Sequence, residues 1–373
     1  MKKKDNEIII GDVTIEIDEN NYFDFSWFNW LNQFQLGQNC SLDGNIIPAE
    51  LKMDLYKDSG FFFGMMLGCI GFIGKPAFLD GHILVVGFPG SGKTLAIVIP
   101  TMFTWRGIQI IIDVKGGLFN YWEKFNRHTG KKIKVFRPGA PRGSSCRYDP
   151  FAFLRHDGAN NLAGNARDLA LALIPLIPSK KETIWEETAQ NFLTGAFIYY
   201  FYLGYSFNET MIEIQELSIT EIIKKIMDDK NLIARISMSK LSGVDEKVIK
   251  YIGMDIVKLA TLVIDSAIFN AFSPDDECDL LDWLELNTAI EPFDVILQFP
   301  ETKFESWKPM ILLMINQLIK ALEQRSERTY CKESDLPPVL IMLDEFPRLG
   351  KISAIQNGLA TLRSRGVTFA LFV

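Results

Sequence analysis

Cysteine, histidine and long apolar runs are scarce in this chain, and each scarcity excludes something. The five cysteines, Cys40, Cys69, Cys146, Cys278 and Cys331, are scattered, odd in number and free of any C-x-x-C pair. That pattern supports neither a disulfide framework nor a zinc site, and it points to a reducing cytoplasm. The three histidines, His82, His128 and His156, show no metal-ligand spacing. No secretory leader is visible, because Met1-Lys2-Lys3-Lys4-Asp5 runs into a polar, acidic segment. The only membrane suspect is Phe61 to Gly74, about fourteen residues dotted with glycine and stopped by Lys75. A spanning helix needs roughly 20 apolar residues, so two glycine-rich strands are expected there instead. Net positive charge is also missing: the formal charge of −7 excludes a generally basic nucleic-acid coat, though not a local basic channel. No internal repeat or low-complexity tract occurs. The 373 residues, 48% hydrophobic and 23% charged, suffice for a soluble globular protein of one or two domains.

What is present centres on Gly87-Phe88-Pro89-Gly90-Ser91-Gly92-Lys93-Thr94. It fits G-x-x-x-x-G-K-[ST], the pattern of a phosphate-binding loop. His82 to Val86 before it reads as a short, fully buried strand, and Leu95 to Ile99 after it as the start of an apolar helix. Strand, glycine loop and helix are what polyphosphate binding needs. Glycine lets the backbone bend around phosphate oxygens, so the amides of Gly90 to Thr94 form an anion nest backed by the helix N-terminus. Lys93 is then expected on the β- and γ-phosphates of ATP, and the Thr94 hydroxyl on Mg²⁺. Pro100 sits inside the following helix, where a proline removes a hydrogen bond and introduces a kink.

Along the chain, Glu7 to Ile17 reads as a hairpin turning at Gly11-Asp12. Tyr22 to Phe34, with Trp27 and Trp30 three apart, reads as an amphipathic helix that packs either on the core or on a partner. From Gly60 onward strands alternate with helices, which argues for an α/β fold with a mostly parallel sheet. Strands are expected at Gly107–Val114, Lys132–Phe136, Phe293–Phe299, Val339–Leu343 and Val367–Val373. Helices are expected at Ala163–Leu173, Thr183–Leu203, Trp307–Glu323 and Ile352–Leu362. Residues 207–290 break the alternation and read as mostly helical, with pieces at Ser218–Asp228, Asp245–Leu262 and Leu280–Leu284. The expected organisation is an N-terminal region over 1–59, a motor domain over 60–206 resumed at 291–373, and an all-α insertion at 207–290.

Hydrolysis needs a second carboxylate for Mg²⁺ and a base for water, and Asp344-Glu345 at the end of an apolar strand supplies both. Asp344 is expected to hold Mg²⁺ through its water shell and Glu345 to polarise the attacking water. A rival, Asp113, also ends a strand but lacks the adjacent glutamate and leads into Val114-Lys115-Gly116-Gly117. Asp113 and Lys115 either approach the nucleotide from the neighbouring strand or form a tight turn with a surface ion pair. Arg363 and Arg365, at the end of the helix after Asp344-Glu345, either reach a neighbouring subunit's γ-phosphate or complement a helix dipole. Residues 224–258 carry eight Lys or Arg against five acids, a balance of +3. At about 100° per residue, Lys247, Lys250 and Lys258 share a helix face with Met254, suited either to a phosphate backbone or simply to solvent.

Together these features resemble the TraG-like type IV coupling proteins, the conjugative DNA-transfer ATPases. The resemblance rests on the glycine loop with Pro100, Asp113-x-Lys115-Gly116, Tyr148-x-Pro150, Trp185 with Ala189, and Asp344-Glu345-Phe346-x-x-Leu349-Gly350-Lys351-Ile352. It implies a RecA-like motor with an all-α insertion, assembled as a homo-hexamer, exporting single-stranded DNA with its attached relaxase. It further implies a type IV secretion channel or membrane-anchor subunit as partner, a peripheral place at the cytoplasmic face of the plasma membrane, and a trans-acting role for Arg363. Three departures stand out. Gly117 occupies a position where the family usually has Glu, the usual N-terminal membrane anchor is missing, and the chain stops at Phe372-Val373, before the family's polar sensor. It therefore reads as an incomplete protein lacking its final strands. A nucleotide-gated docking receptor that does not pump is the alternative function. An ordinary P-loop kinase is disfavoured by the inserted helices and the Asp344-Glu345 pair.

Overall fold

The computed structural model describes residues 7–10, 13–16, 51–54, 57–65, 71–126, 131–140, 146–156, 161–175, 184–239, 241, 244, 246–273, 279–327, 336–350 and 352–373. The helix expected at Tyr22–Phe34 lies outside them. The chain divides into two compact units, Met1–Leu79 with Gly87–Arg106, and Asp80–Val86 with Gly107–Val373.

In the first unit, β1 (Glu7–Ile10) and β2 (Val13–Glu16) form the expected antiparallel hairpin, with Ile10 opposite Val13. A second sheet runs β3 (Lys52–Asp54), β5 (Gly71–Pro76), β4 (Gly60–Met65) in antiparallel order. The apolar run suspected of crossing a membrane is this β4–β5 pair. Among the described residues no helix is long and apolar enough to cross one. Two of its glycines answer to packing. A Cβ on Gly74 would stand 2.5 Å from the Phe61 carbonyl oxygen, and one on Gly60 2.5 Å from that of Lys75. Phe62 and Phe72 stack in the space this leaves, ring centres 5.8 Å apart.

The helix after the glycine loop begins with a widened turn, Thr94–Val98, in which Ile99 N–H donates to Thr94 O, five residues back. α1 (Ile99–Thr104) follows with Pro100 in its first turn. Proline has no N–H to give and its ring crowds the carbonyl four residues earlier, so the turn ahead of it opens to the wider spacing. α1 is anchored on β4: Phe62 N–H donates to Thr101 Oγ1 (3.1 Å), and Thr104 Oγ1 donates to Gly60 O (2.8 Å).

The second unit contains a six-stranded sheet in the order β6-β13-β12-β7-β11-β8, parallel at every pairing. Its strands are β6 (Ile83–Val85), β7 (Ile108–Asp113), β8 (Lys132–Phe136), β11 (Phe293–Gln298), β12 (Val339–Leu343) and β13 (Val367–Phe372). β7, β12 and β13 are buried along their whole length, as strands covered on both faces must be. β6 departs from expectation. It is an edge strand, paired to β13 alone, and its central Leu84 is 62% exposed. Crossovers are supplied by α2 (Leu118–Asn126) after β7 and by the long α11 (Phe304–Glu323) after β11, while α12 (Phe346–Leu349) and α13 (Ser353–Thr361) join β12 to β13.

Between β8 and β11 lie a two-residue β9 (Cys146–Arg147), α3 (Ala152–His156), α4 (Leu162–Leu173), α5 (Ile184–Tyr202), α6 (Phe207–Glu216), α7 (Ile219–Met227), α8 (Leu232–Ser239), α9 (Glu246–Ala260), α10 (Ser266–Ala271) and a two-residue β10 (Asp279–Leu280). Two helices start at capping boxes. Ser206 and Glu209 satisfy each other's amides at α6, and Ser218 and Glu221 do the same at α7. The helical piece expected at 280–284 is different in kind. Asp279–Leu280 pairs in parallel with Cys146–Arg147, and the 3-10 turn Trp283–Asn287 starts where Asp282 caps the Leu284 amide (2.9 Å). Pairing with a distant strand overrides local preference there. One apolar core runs from the sheet (Ile110, Ile341) through α5 (Phe192, Phe197) into α7 and α9 (Ile222, Ile256).

At the start of β11, Asp294 is fully buried opposite Gln109 of β7. It accepts from Trp122 Nε1 (2.7 Å) and pairs with Lys131 Nζ (2.5 Å), which also donates to Gly107 O (2.8 Å). Burial pushes the Asp294 carboxyl up and the Lys131 ammonium down, so the pair survives on mutual attraction. Removing one partner strands the other charge. Lys131→Met should lower unfolding free energy at pH 7 by about 3–5 kcal/mol. The deficit should shrink as pH falls toward about 5, because a carboxyl whose folded pKa is raised takes up its proton first in the folded chain. Urea titrations at several pH values check both, and a pH-independent deficit would contradict the account.

Candidate functional site

In the first unit, the loop 87–94 makes a tight reversal at two glycines in the left-handed region, Gly90 (φ 77°) and Gly92 (φ 80°), where a side chain would be strained. Ser91 N–H closes the turn onto Phe88 O (3.1 Å), and Ala96 N–H onto Gly92 O (2.8 Å). Gly87 allows close approach, since a Cβ there would stand 2.8 Å from Ser91 Oγ. Lys93 folds back over the loop and donates to Gly87 O and Phe88 O (3.1 Å to the latter). Its partners among the described residues are thus neutral carbonyls. An ammonium whose partners are neutral carbonyls, at the start of a helix, suits a polyanion. Phe88, Pro89, Gly90 and Ser91 are exposed, and Thr94 opens the widened turn.

In the second unit, the chemistry gathers where the parallel strands end. Asp344 follows β12 and is buried. Glu345 comes next with φ 61° and ψ 46°, the only described non-glycine residue at positive φ. The left-handed region costs an ordinary residue roughly 1–2 kcal/mol, and such strain gathers at functional positions. Lys115, just past the end of β7, pairs with Glu345 Oε1. Arg348 Nη1 lies 3.8 Å from Glu345 Oε2 and 2.7 Å from Glu301 Oε1, with its guanidinium over the Phe304 ring (5.2 Å). Lys308 Nζ donates to Arg348 O (3.0 Å). The Glu345 carboxylate pushes the Lys115 ammonium above its ordinary value.

Asp113, the rival carboxylate, serves the turn. It accepts from Gly116 N–H (2.7 Å) and Leu118 N–H (2.9 Å), which starts α2. Burial pushes its carboxyl up, against the lowering effect of those amides. Gly116 (φ 83°) is required, because a Cβ would stand 2.7 Å from Gln298 Nε2, which itself donates to Gly116 O (2.7 Å). Of the two roles open to Asp113 and Lys115 from sequence, the tight turn with an ion pair is the one seen.

Arg363 and Arg365 lie on a 3-10 turn after α13. Arg363 is exposed. Arg365 donates to Arg325 O, while the buried Arg325 donates to Arg365 O (3.1 Å), Pro337 O (2.5 Å) and Leu286 O. Arg365 is therefore a structural clasp. Sequence reasoning missed Arg325, Lys308, Glu301 and Arg348. Only Arg348 carried a signal, its three-residue spacing from Glu345. On α9, Lys247, Lys250 and Lys258 are exposed together with Tyr251 and Met254, and Lys258 also pairs with Asp255 (3.1 Å).

Comparison with known proteins gives a family. The family described as Type IV secretory system Conjugative DNA transfer matches residues 36–255 and 287–373. Conjugal transfer protein TraG of Escherichia coli is 22% identical over 315 residues, covering 77% of this chain and 47% of that protein. Protein VirD4 of Rhizobium radiobacter is 24% identical over 306 residues, covering 75% and 40%. The chain thus spans less than half the length of these curated relatives. The unbound monoclinic form of the bacterial conjugative coupling protein TrwB, truncated at its N-terminus, superposes with a TM-score of 0.59 at 15% identity, covering 78% of this chain and 62% of that one. TrwB in complex with the ATP analogue ADPNP gives 0.58 at 16% identity, covering 80% and 66%. These likenesses show the fold, a RecA-like α/β architecture on a mostly parallel sheet. With its glycine loop, its strand-end carboxylates and a match over most of its length, the chain belongs to the type IV secretory conjugative DNA-transfer family, that of the TraG-like coupling proteins.

Proposed function

We propose that this protein is an ATP-hydrolysing coupling protein that drives single-stranded DNA, with its relaxase, to a type IV secretion channel. The observation that carries the reading is the loop 87–94, where two left-handed glycines and a lysine on neutral carbonyls leave amides and a cation for phosphate. TrwB, of the same fold, has been solved with ADPNP and with ADP and Mg²⁺, which supports the same ligands here.

In this reading the loop Gly87 to Thr94 cradles the phosphates, with the amides of Gly90 to Thr94 and the Lys93 ammonium as donors. The Thr94 hydroxyl and, through water, the Asp344 carboxylate hold Mg²⁺. Among the described residues no cluster of three or more His, Cys, Asp or Glu could hold a metal alone, and Mg²⁺ commonly relies on one or two protein ligands plus phosphate and water. When bound, the ion neutralises charge on the phosphates. Glu345 accepts a hydrogen bond from the attacking water. Arg363, exposed beyond its clasped neighbour Arg365, acts on the next subunit of a homo-hexamer. We assign 60–206 and 291–373 to the motor, 207–290 to an all-α insertion whose lysine row on α9 faces DNA, and 1–59 to an N-terminal region. Attachment is peripheral, at the cytoplasmic face of the plasma membrane, through a channel or anchor subunit.

Two variants separate binding from chemistry. Lys93→Ala should lose both nucleotide binding and turnover, having lost the cation on the phosphates. Glu345→Gln should keep binding and lose kcat by about 10²-fold or more. Steady-state turnover alongside binding of a fluorescent ATP analogue checks both, and near-normal turnover by either variant contradicts the assignment.

A mixing experiment tests Arg363. Arg363→Ala alone should be inactive, whereas mixing it with Lys93→Ala subunits should recover activity at interfaces that join an intact loop to an intact arginine. An arginine of this kind is worth about 10³-fold or more in rate. Rings that form at every mixing ratio yet never recover turnover would place its role within its own subunit.

A further inference from the structure

The Asp113-x-Lys115-Gly116 segment and the Asp344-Glu345 segment meet at the sheet's C-terminal edge, and the function proposed above leaves the first of them idle. Their strands are neighbours, with Leu343 of β12 in register with Ile112 of β7. The two chains therefore leave the sheet side by side, and Lys115 Nζ closes on the Glu345 carboxylate. We propose that Lys115 is a positioning residue for Glu345: its ammonium sets the orientation of the carboxylate that polarises water, and thereby supports turnover without touching nucleotide. The inference rests on the reading of Glu345 as the base.

Three features carry it. Glu345 stands in a left-handed backbone conformation, so its side chain leaves the strand end in a direction that no regular helix or strand around it enforces. Its two oxygens are bracketed from opposite partners, Oε1 by Lys115 and Oε2 by Arg348 at 3.8 Å. Arg348 gives its closer bond to Glu301 (2.7 Å), which leaves Lys115 as the tighter contact. Finally, the turn that presents Lys115 is fixed at both ends, by the Asp113 carboxylate on the Gly116 and Leu118 amides and by Gln298 on the Gly116 carbonyl. Lys115 itself is half exposed. An exposed pair of this kind contributes little to stability, so orientation and stability can be told apart.

The test uses the full chain with Lys115→Met, Lys115→Arg, Glu345→Gln and the Lys115→Met/Glu345→Gln double variant. For Lys115→Met, kcat should fall about 10- to 100-fold, the size expected when a reacting group is displaced by about 1 Å. Its KM for ATP should stay within about twofold and its melting temperature should be unchanged. Lys115→Arg should regain most of the activity, and the double variant should be no slower than Glu345→Gln alone. Lys115→Met with kcat equal to or above wild type, or a double variant slower than Glu345→Gln by the full Lys115→Met factor, overturns the inference. A Glu345→Gln protein that turns over normally overturns the base assignment as well. A silent Lys115→Met beside an inactive Glu345→Gln overturns this inference alone.

Discussion

Parallel pairing brings the C-terminal ends of all six strands to one edge of the sheet, and the functional reading depends on that constraint. Antiparallel neighbours would send Asp113, Gln298 and Asp344 to opposite edges. Because β7, β11 and β12 run the same way and are in register, the three residues leave the sheet within reach of one another. Turns after each strand then do the rest: Gln298 reaches the turn of Gly116, and Lys115 reaches Glu345. The same geometry is why open α/β sheets bind ligands beyond the carboxyl ends of their strands.

Backbone strain marks the positions where this edge departs from regular structure. Gly116 takes a left-handed conformation without a Cβ to object, but Glu345 takes one with a full side chain. Neighbouring residues hold it there: β12 is buried before it, and α12, itself tied down by Lys308 on Arg348 O, follows it. The opposite end of the sheet bears a buried ion pair, Asp294 with Lys131, far in character from the exposed cations of the functional edge. Order there comes from desolvated charge that has one acceptable partner, whereas the Lys115–Glu345 pair of the functional edge stays near water.

Much of this was legible in the sequence, for a physical reason. A strand covered on both faces is a continuous apolar run, so Val339–Leu343 could be read to the residue; the edge strand Lys132–Phe136 was legible instead from its alternation of lysine with apolar residues. The glycine loop was legible because phosphate binding demands glycine at fixed spacing, and Asp344-Glu345 because a charged pair ending such a run is conspicuous. The exposed edge strand β6 was misread, since a short apolar run does not say which neighbours cover it. Helices α6 and α7 carried Ser-x-x-Glu signals at their starts, of which only the second lay within an expected helix. Pairings between distant segments left no local trace: Lys115 with Glu345, Arg325 with Arg365, and Asp279–Leu280 with Cys146–Arg147. Each depends on where the sheet delivers a residue.

If the sheet edge and the glycine loop serve a DNA motor, turnover must respond to DNA. The row Lys247, Lys250 and Lys258 offers exposed cations with Tyr251 and Met254 between them, a surface suited to sequence-independent, salt-sensitive binding of a single strand. The most direct measurement is ATP turnover of the assembled protein with and without single-stranded DNA of mixed sequence, at low and at raised salt. The account predicts several-fold stimulation at low salt that fades as salt rises. A turnover rate that single-stranded DNA leaves unchanged at low salt would contradict it.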